Sequence, residues 1–202
     1  CSHRKGHNVY GMQMVRSTHM GQLKSAPHKR PLTIARSGYA GMQRFSAVWT
    51  GDNVATWEHL KIANVQMQRL SACGISFAGS DVGGFIGTPS AELYLRWIQL
   101  AVFHPFFRTH SSGDHGDKEP WVFGQKYTNL IRQFIEFRYQ LLPYIYTAFW
   151  QHSTHGEPII KSLHMYSQED PETYFREDEF VFGENMMVCP VLKEGGTDRL
   201  IY

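Results

Sequence analysis

Short apolar runs recur between helix-length stretches along this chain, and that alternation restricts its architecture more than any other feature. Residues 31–36, 46–49, 75–80 and 158–163 have the length and composition of strands. Apolar residues at helical spacing mark helices at 6–24, 54–72, 91–103 and 125–152. Thr88-Pro89 opens the third of these, and Pro143 is expected to kink or divide the last. Strands alternating with helices predict a parallel α/β sheet or barrel. A closed barrel of this kind needs about eight strands. Only four such runs are visible, and the chain opens on a helix, so the pattern favours the second half of a barrel over an open sheet. Beyond residue 165 the character changes. Phe180-Val181-Phe182, Met186 to Leu192 and Leu200-Ile201-Tyr202 read as short strands joined by turns, the beginning of an all-β unit.

Composition removes several classes of function. At 202 residues and 42% hydrophobic content the chain can build a sizeable core. No apolar run approaches the roughly 18 residues of a membrane span. Cys1, Cys73 and Cys189 are odd in number and far apart, which argues against a disulfide framework or a paired-cysteine zinc site. Net charge is +2, yet no acidic residue precedes Asp52. The basic residues of that first quarter are scattered among apolar positions without a nucleic-acid-binding motif, so nucleic acid is not the expected partner. The acidic stretch from Glu169 to Glu179 is expected to balance them as a solvated surface.

Ligands of parallel α/β folds meet the carboxyl ends of the strands. Here those ends carry Arg36, Asp52 and Asp81, the loop after Phe106-Phe107-Arg108 adds Thr109 and His110, and Trp49 and Phe85 supply flat apolar surface. Two carboxylates, cationic groups and aromatic planes suit a sugar, whose C–H face stacks while its hydroxyls take the charges. Each residue has a plainer reading. Asp52 or Asn53 can cap a helix starting at Val54, Arg36 can be an ordinary ion-pair arginine, Trp49 and Phe85 can be core, and Asp81 can shape a glycine-rich turn. Gly79, Gly83 and Gly84 lack the spacing and the Gly-Lys-Ser/Thr ending of a phosphate loop. His110, Asp114, His115 and Asp117 form a weak metal candidate, since loop His and Asp are more often solvated, and no metal is expected. No Ser or Cys sits in a nucleophile elbow.

The sequence closely resembles glycoside hydrolase family 31, the retaining α-glucosidase family, and looks most like its glucosidase II-like branch. Carrying the match are Arg36-Ser37, Trp49-Thr50-Gly51-Asp52-Asn53, Gly79-Ser80-Asp81-Val82-Gly83-Gly84-Phe85, Pro105-Phe106-Phe107-Arg108-Thr109-His110 and Glu119-Pro120-Trp121. The resemblance runs almost end to end. It implies an α/β fold in which residues 1–165 are the C-terminal half of a (β/α)8 TIM barrel and residues 166–202 begin a C-terminal β-sandwich. It also implies hydrolysis of α-linked glucosides without a cofactor. By resemblance, Asp52 of the W-x-G-D motif is the general acid/base, in a setting that Trp49 makes less polar. Arg36, Trp49, Asp81, Phe85 and His110 then line the sugar subsite, with Arg108 a weaker assignment. The family's nucleophile, in a W-x-D-M-N-E motif, has no counterpart among these residues. The expectation is therefore a piece of a larger enzyme, one that packs with the missing half of its barrel or self-associates, and that acts on α-glucosides or α-xylosides. The alternative is a half-barrel that binds sugar or a partner protein without turnover.

Overall fold

The structure, a computed structural model, describes residues 2–202; Cys1 lies outside the described residues. Helix α1 (His3–Ser25) leads to β1 (Ile34–Ala35) and β2 (Ala47–Trp49). There follow α2 (Trp57–Ala72), β3 (Ala78–Gly79), β4 (Asp81–Val82), α3 (Ala91–Ala101), β5 (Arg108–Thr109) and α4 (Gln125–His155). The chain closes with β6 (Ile160–Ser162), α5 (Leu163–Tyr166), β7 (Phe180–Phe182) and β8 (Met186–Val188).

Strands β1, β2 and β3 pair in parallel in that order, and β4 pairs in parallel with β5. The run expected at 75–80 is thus a strand only at Ala78–Gly79, and after Ser80 a second short strand, Asp81–Val82, turns to a new neighbour. Gly79 permits the change: a Cβ there would meet the Phe106 carbonyl oxygen at 1.8 Å, so only glycine lets the β5 segment approach. Strand β5 was expected as loop. Its two residues carry no apolar pattern, and pairing with Asp81 and Val82 alone makes them a strand.

The run at 158–163 does form a strand, but not a parallel one. Residues Ile160, Lys161 and Ser162 pair antiparallel with Phe182, Val181 and Phe180, and β7 pairs antiparallel with β8. An apolar run encodes burial on both sides and carries no information about pairing direction. Pro143 does not divide helix α4, which runs as one element through it.

The core lies between the parallel strands and α2, α3 and α4, where Leu60, Ala63, Tyr94, Trp97, Ile98, Ala101 and Ile131 are buried. The amphipathic spacing of α3 explains its share, because Leu93, Tyr94, Trp97, Ile98 and Ala101 fall on one face. Polar groups fix the joints. The Ser71 hydroxyl accepts from the Ile160 N–H at 3.1 Å, tying the end of α2 to β6. Arg138 of α4, itself buried, donates to the carbonyls of Val102, His104 and Pro105 and so holds the turn leading into β5. The Tyr144 hydroxyl donates to the Phe182 carbonyl at 2.8 Å and receives the Glu184 and Asn185 N–H groups at 3.1 and 3.2 Å, joining α4 to the β7–β8 turn.

The acidic stretch is not simply solvated. Glu179 is fully buried and accepts from Arg199 at 2.5 Å, while Glu177 bridges to Arg69 at 2.7 Å and Glu172 to Arg176 at 2.7 Å. Two groups of exposed apolar side chains lie on or beside the long helices. One is Val9, Tyr10, Met14 and Met20 of α1 with Leu32 and Ile34 beside β1; the other is Tyr139, Leu142, Tyr146 and Trp150 along α4. Among the described residues, no helix is long and apolar enough to cross a membrane.

Candidate active site

Strand β2 delivers Trp49 at its end, and two residues later Gly51 turns the backbone at φ 85° so that Asp52 projects outward. Asp52 does not cap α2. That helix begins at Trp57, and its cap is Thr56, whose hydroxyl accepts the His59 N–H at 3.2 Å. Asn53 does not cap it either. It is buried, its side-chain oxygen receives the Thr50 hydroxyl at 3.1 Å, and its carbonyl receives the Phe85 and Ile86 N–H groups at 2.7 and 2.9 Å. Asp52 is left with a different partner: Arg36, at the end of β1, donates to its Oδ2 at 3.1 Å. Both side chains are open to solvent, 56% for Arg36 and 44% for Asp52. The expected apolar setting for Asp52 is accordingly absent, and an exposed ion pair stands in its place.

One strand further on lies a pair of opposite character. Arg108 of β5 donates to Asp81 Oδ1 at 2.9 Å, with Asp81 fully buried and Arg108 29% exposed. Among the described residues the second carboxylate oxygen of Asp81 has no hydrogen-bond partner. Burial pushes the Asp81 carboxyl up; Arg108 and, more weakly, His110 pull it down, and Asp52 adds to the rise. The Arg108 guanidinium also lies over the rings of Trp49, 5.4 Å from its centroid, and Phe106, at 5.2 Å. Such contacts contribute about 0.5–1 kcal/mol each. Arg108 thereby links two strand ends.

Phe85 and His110 form the remaining wall, their rings 5.3 Å apart and tilted by 33°, with the His115 ring edge-on to Phe85 at 6.2 Å. The glycines before Phe85 serve packing. Gly84 has φ 82°, and a Cβ there would lie 2.5 Å from the Ala55 nitrogen, while one on Gly83 would strike the Tyr94 ring at 2.6 Å. Among the described residues no group of three or more His, Cys, Asp or Glu is arranged to hold a metal, and Cys73 and Cys189 are free.

The seven residues singled out from sequence fall into three contact groups between β1 and the loop after β5: Arg36 with Asp52, Arg108 with Asp81 and Trp49, and Phe85 with His110. One residue was missed. Lys118 is almost wholly buried, 4% exposed, and its ammonium donates to the carbonyls of Gly84 and Phe85. A lysine in a polar, Gly-rich segment gives no sign in sequence that it will be buried.

Comparison with known proteins locates the chain. The Glycosyl hydrolases family 31 TIM-barrel domain matches residues 1–148, and the Glycosyl hydrolase family 31 C-terminal domain matches residues 156–202. Alpha-glucosidase 2 of Bacillus thermoamyloliquefaciens is 40% identical over 201 residues, covering 100% of this chain and 26% of that protein. Neutral alpha-glucosidase C of Mus musculus is 45% identical over 190 residues, 94% of this chain and 21% of that protein. Among solved structures, the glucosidase II alpha subunit in its Tris-bound form superposes with a TM-score of 0.94 at 37% identity, covering 97% of this chain and 22% of that one. A Flavobacterium johnsoniae dextranase complexed with glucose gives 0.90 at 31% identity, over 96% of this chain and 25% of that one. The chain thus spans about a quarter of the length of these relatives.

Proposed function

This chain belongs to glycosyl hydrolase family 31, and from that premise we propose that it carries the acid/base side of a retaining α-glucosidase site. Asp52 gives its proton to the glycosidic oxygen as the C1–O bond breaks, and a second carboxylate attacks C1 to form a glycosyl ester. Asp52 then takes a proton from the water that attacks C1 and releases the sugar. The observation that carries this reading is the placement of Asp52: exposed, excluded from capping α2, and set beside the buried Asp81–Arg108 pair. In retaining enzymes the two carboxyls stand about 5–5.5 Å apart. Asp81, the carboxylate coupled to Asp52, is fully buried and held by Arg108, a poor attacking group. The W-x-D-M-N-E motif in which the resemblance puts the nucleophile has no counterpart here, and we assign the nucleophile to residues outside this sequence.

In this reading a substrate sugar stacks on Trp49 and the Phe85–His110 wall, with Arg36, Asp81, Arg108 and His110 taking its hydroxyls. Sugar entry exchanges the solvent-open Arg36–Asp52 contact for contacts with the ligand. No cofactor enters these steps. Residues 1–165 then form the C-terminal half of a (β/α)8 barrel and residues 166–202 the start of the following β domain. The exposed apolar residues of α1 and α4 support packing against the rest of such a barrel, or self-association. Alone, the half-barrel binds sugar or a partner without turnover; an α-xyloside is the alternative substrate.

The deciding experiment is turnover of an aryl α-glucoside by the purified chain and by the chain combined with an upstream half-barrel, each with Asp52→Asn as control. Activity only in the combination, with Asp52→Asn losing natural glucosides far more than activated aryl glucosides, is expected. Turnover by the 202 residues alone, abolished by Asp52→Asn, overturns the assignment of the nucleophile. Equal losses on both substrate types overturn the role of Asp52.

A further inference from the structure

Phe85 is gripped through its backbone from two sides. Its N–H, with that of Ile86, is held by the Asn53 carbonyl, which belongs to the loop presenting Asp52. Its carbonyl, with that of Gly84, is held by the ammonium of Lys118, which belongs to the loop presenting His110; the contact to Phe85 is 3.3 Å. The turn between cannot relax by itself, because Gly83 and Gly84 are pressed against Tyr94 and Ala55 at left-handed φ values of 83° and 82°. A second contact closes the same loop: the Thr88 hydroxyl donates to the His115 carbonyl at 3.1 Å.

Lys118 has no carboxylate within ion-pair distance among the described residues. A buried ammonium satisfied only by carbonyls is expensive to desolvate, and burial pushes its pKa down, opposed by the negative charge of Asp81. Simple stability is poorly served by such a group, since an apolar side chain of the same length would avoid the desolvation. What the ammonium does provide is a fixed distance between two backbone segments.

We propose that Lys118 is a positioning residue of the sugar site, clipping the 111–120 loop to the Gly84–Phe85 carbonyls so that the Phe85 and His110 rings are held against each other on one wall of the site. This deepens the sugar-site reading above and rests on it for its purpose, although the clip itself is a property of the chain alone. Lys118 touches no reacting atom. Its effect passes through Phe85 and His110.

The test uses the imidazole NMR signals of the chain, with Phe85→Leu as the reference for a His110 that has lost its aromatic neighbour. In Lys118→Met, the ring-current shift of the His110 Cε1 proton is expected to fall by more than half towards the Phe85→Leu position, and Lys118→Arg is expected to restore most of it. Lys118→Gln, which also removes the buried charge but keeps a polar end one atom short of the carbonyls, should behave as Lys118→Met and serves if that variant does not fold. A folded Lys118→Met or Lys118→Gln with an unchanged His110 signal overturns the proposal, even if its melting temperature has fallen. Failure of the wild-type chain, combined with an upstream half-barrel, to bind an aryl α-glucoside sinks the sugar-site reading instead and leaves the His110 result standing.

Discussion

Replacing Arg108 with Met tests the electrostatics of the site most directly. Arg108→Met retains much of the stem packing while removing the guanidinium from Asp81, which is fully buried. Breaking a buried pair by deleting one partner costs about 3–5 kcal/mol, because the other charge is left unpaired. Arg108 is 29% exposed, so water recovers part of that loss and the lower end of the range applies. Loss of its stacking on Trp49 and Phe106 adds roughly 1 kcal/mol, for a total of about 3–4 kcal/mol at neutral pH. The pH dependence supplies a second check. The folded-state pKa of Asp81 is already raised above the ordinary aspartate value by burial, and removing Arg108 raises it further. A carboxyl with a raised folded pKa contributes stability that is fully present below the unfolded value and is lost as pH rises through the folded one. The cost of Arg108→Met should therefore be small near pH 3.5 and grow towards pH 7. Urea unfolding of both proteins across that range measures it. A loss below 1 kcal/mol at pH 7, or one that does not change with pH, would refute the claim that Arg108 neutralises a buried Asp81.

Thr56→Ala should lower stability by about 1 kcal/mol through loss of the α2 cap, whereas Asp52→Ala should leave it within about 0.5 kcal/mol, as denaturant midpoints will show. Gly84→Ala places a methyl group 2.5 Å from the Ala55 nitrogen at a left-handed φ of 82°, so a loss of more than about 2 kcal/mol is expected, with the Phe85 ring displaced in near-ultraviolet circular dichroism. Tyr144→Phe leaves the Phe182 carbonyl without its donor and the Glu184 and Asn185 N–H groups without their acceptor. A cost of about 1–3 kcal/mol is expected, accompanied by faster hydrogen exchange at those two amides.

Much of the site was legible because it depends on local order. The apolar run Ala47-Val48-Trp49 followed by Gly51 places Asp52 beyond a strand end wherever that strand lies. Gly83 and Gly84 mark a turn that no side chain fits. The helices of 54–72 and 91–103 follow from apolar spacing over several turns, and their observed ranges, Trp57–Ala72 and Ala91–Ala101, differ only at the ends.

What the sequence could not specify were the outcomes of competition between distant groups. Thr56 displaced Asp52 as the α2 cap because the chain does not enter the helix before residue 57: the Ala55 N–H is bound to the Ile86 carbonyl and the Thr56 N–H to the Val54 carbonyl, each at 2.8 Å. Arg108-Thr109 became a strand because β4 offered an edge, and Ile160-Lys161-Ser162 became antiparallel because Phe180-Val181-Phe182 lay opposite. Lys118 and Glu179 were buried by partners far along the chain, the Gly84 and Phe85 carbonyls and Arg199. By itself the sequence determined where strands end, where helices can form and which residues stand at the strand ends, since backbone preference and apolar period act over a few residues. Only the tertiary structure decided pairing direction, caps and the burial of charge, because each is settled by whichever distant group best satisfies a hydrogen bond or a desolvated charge.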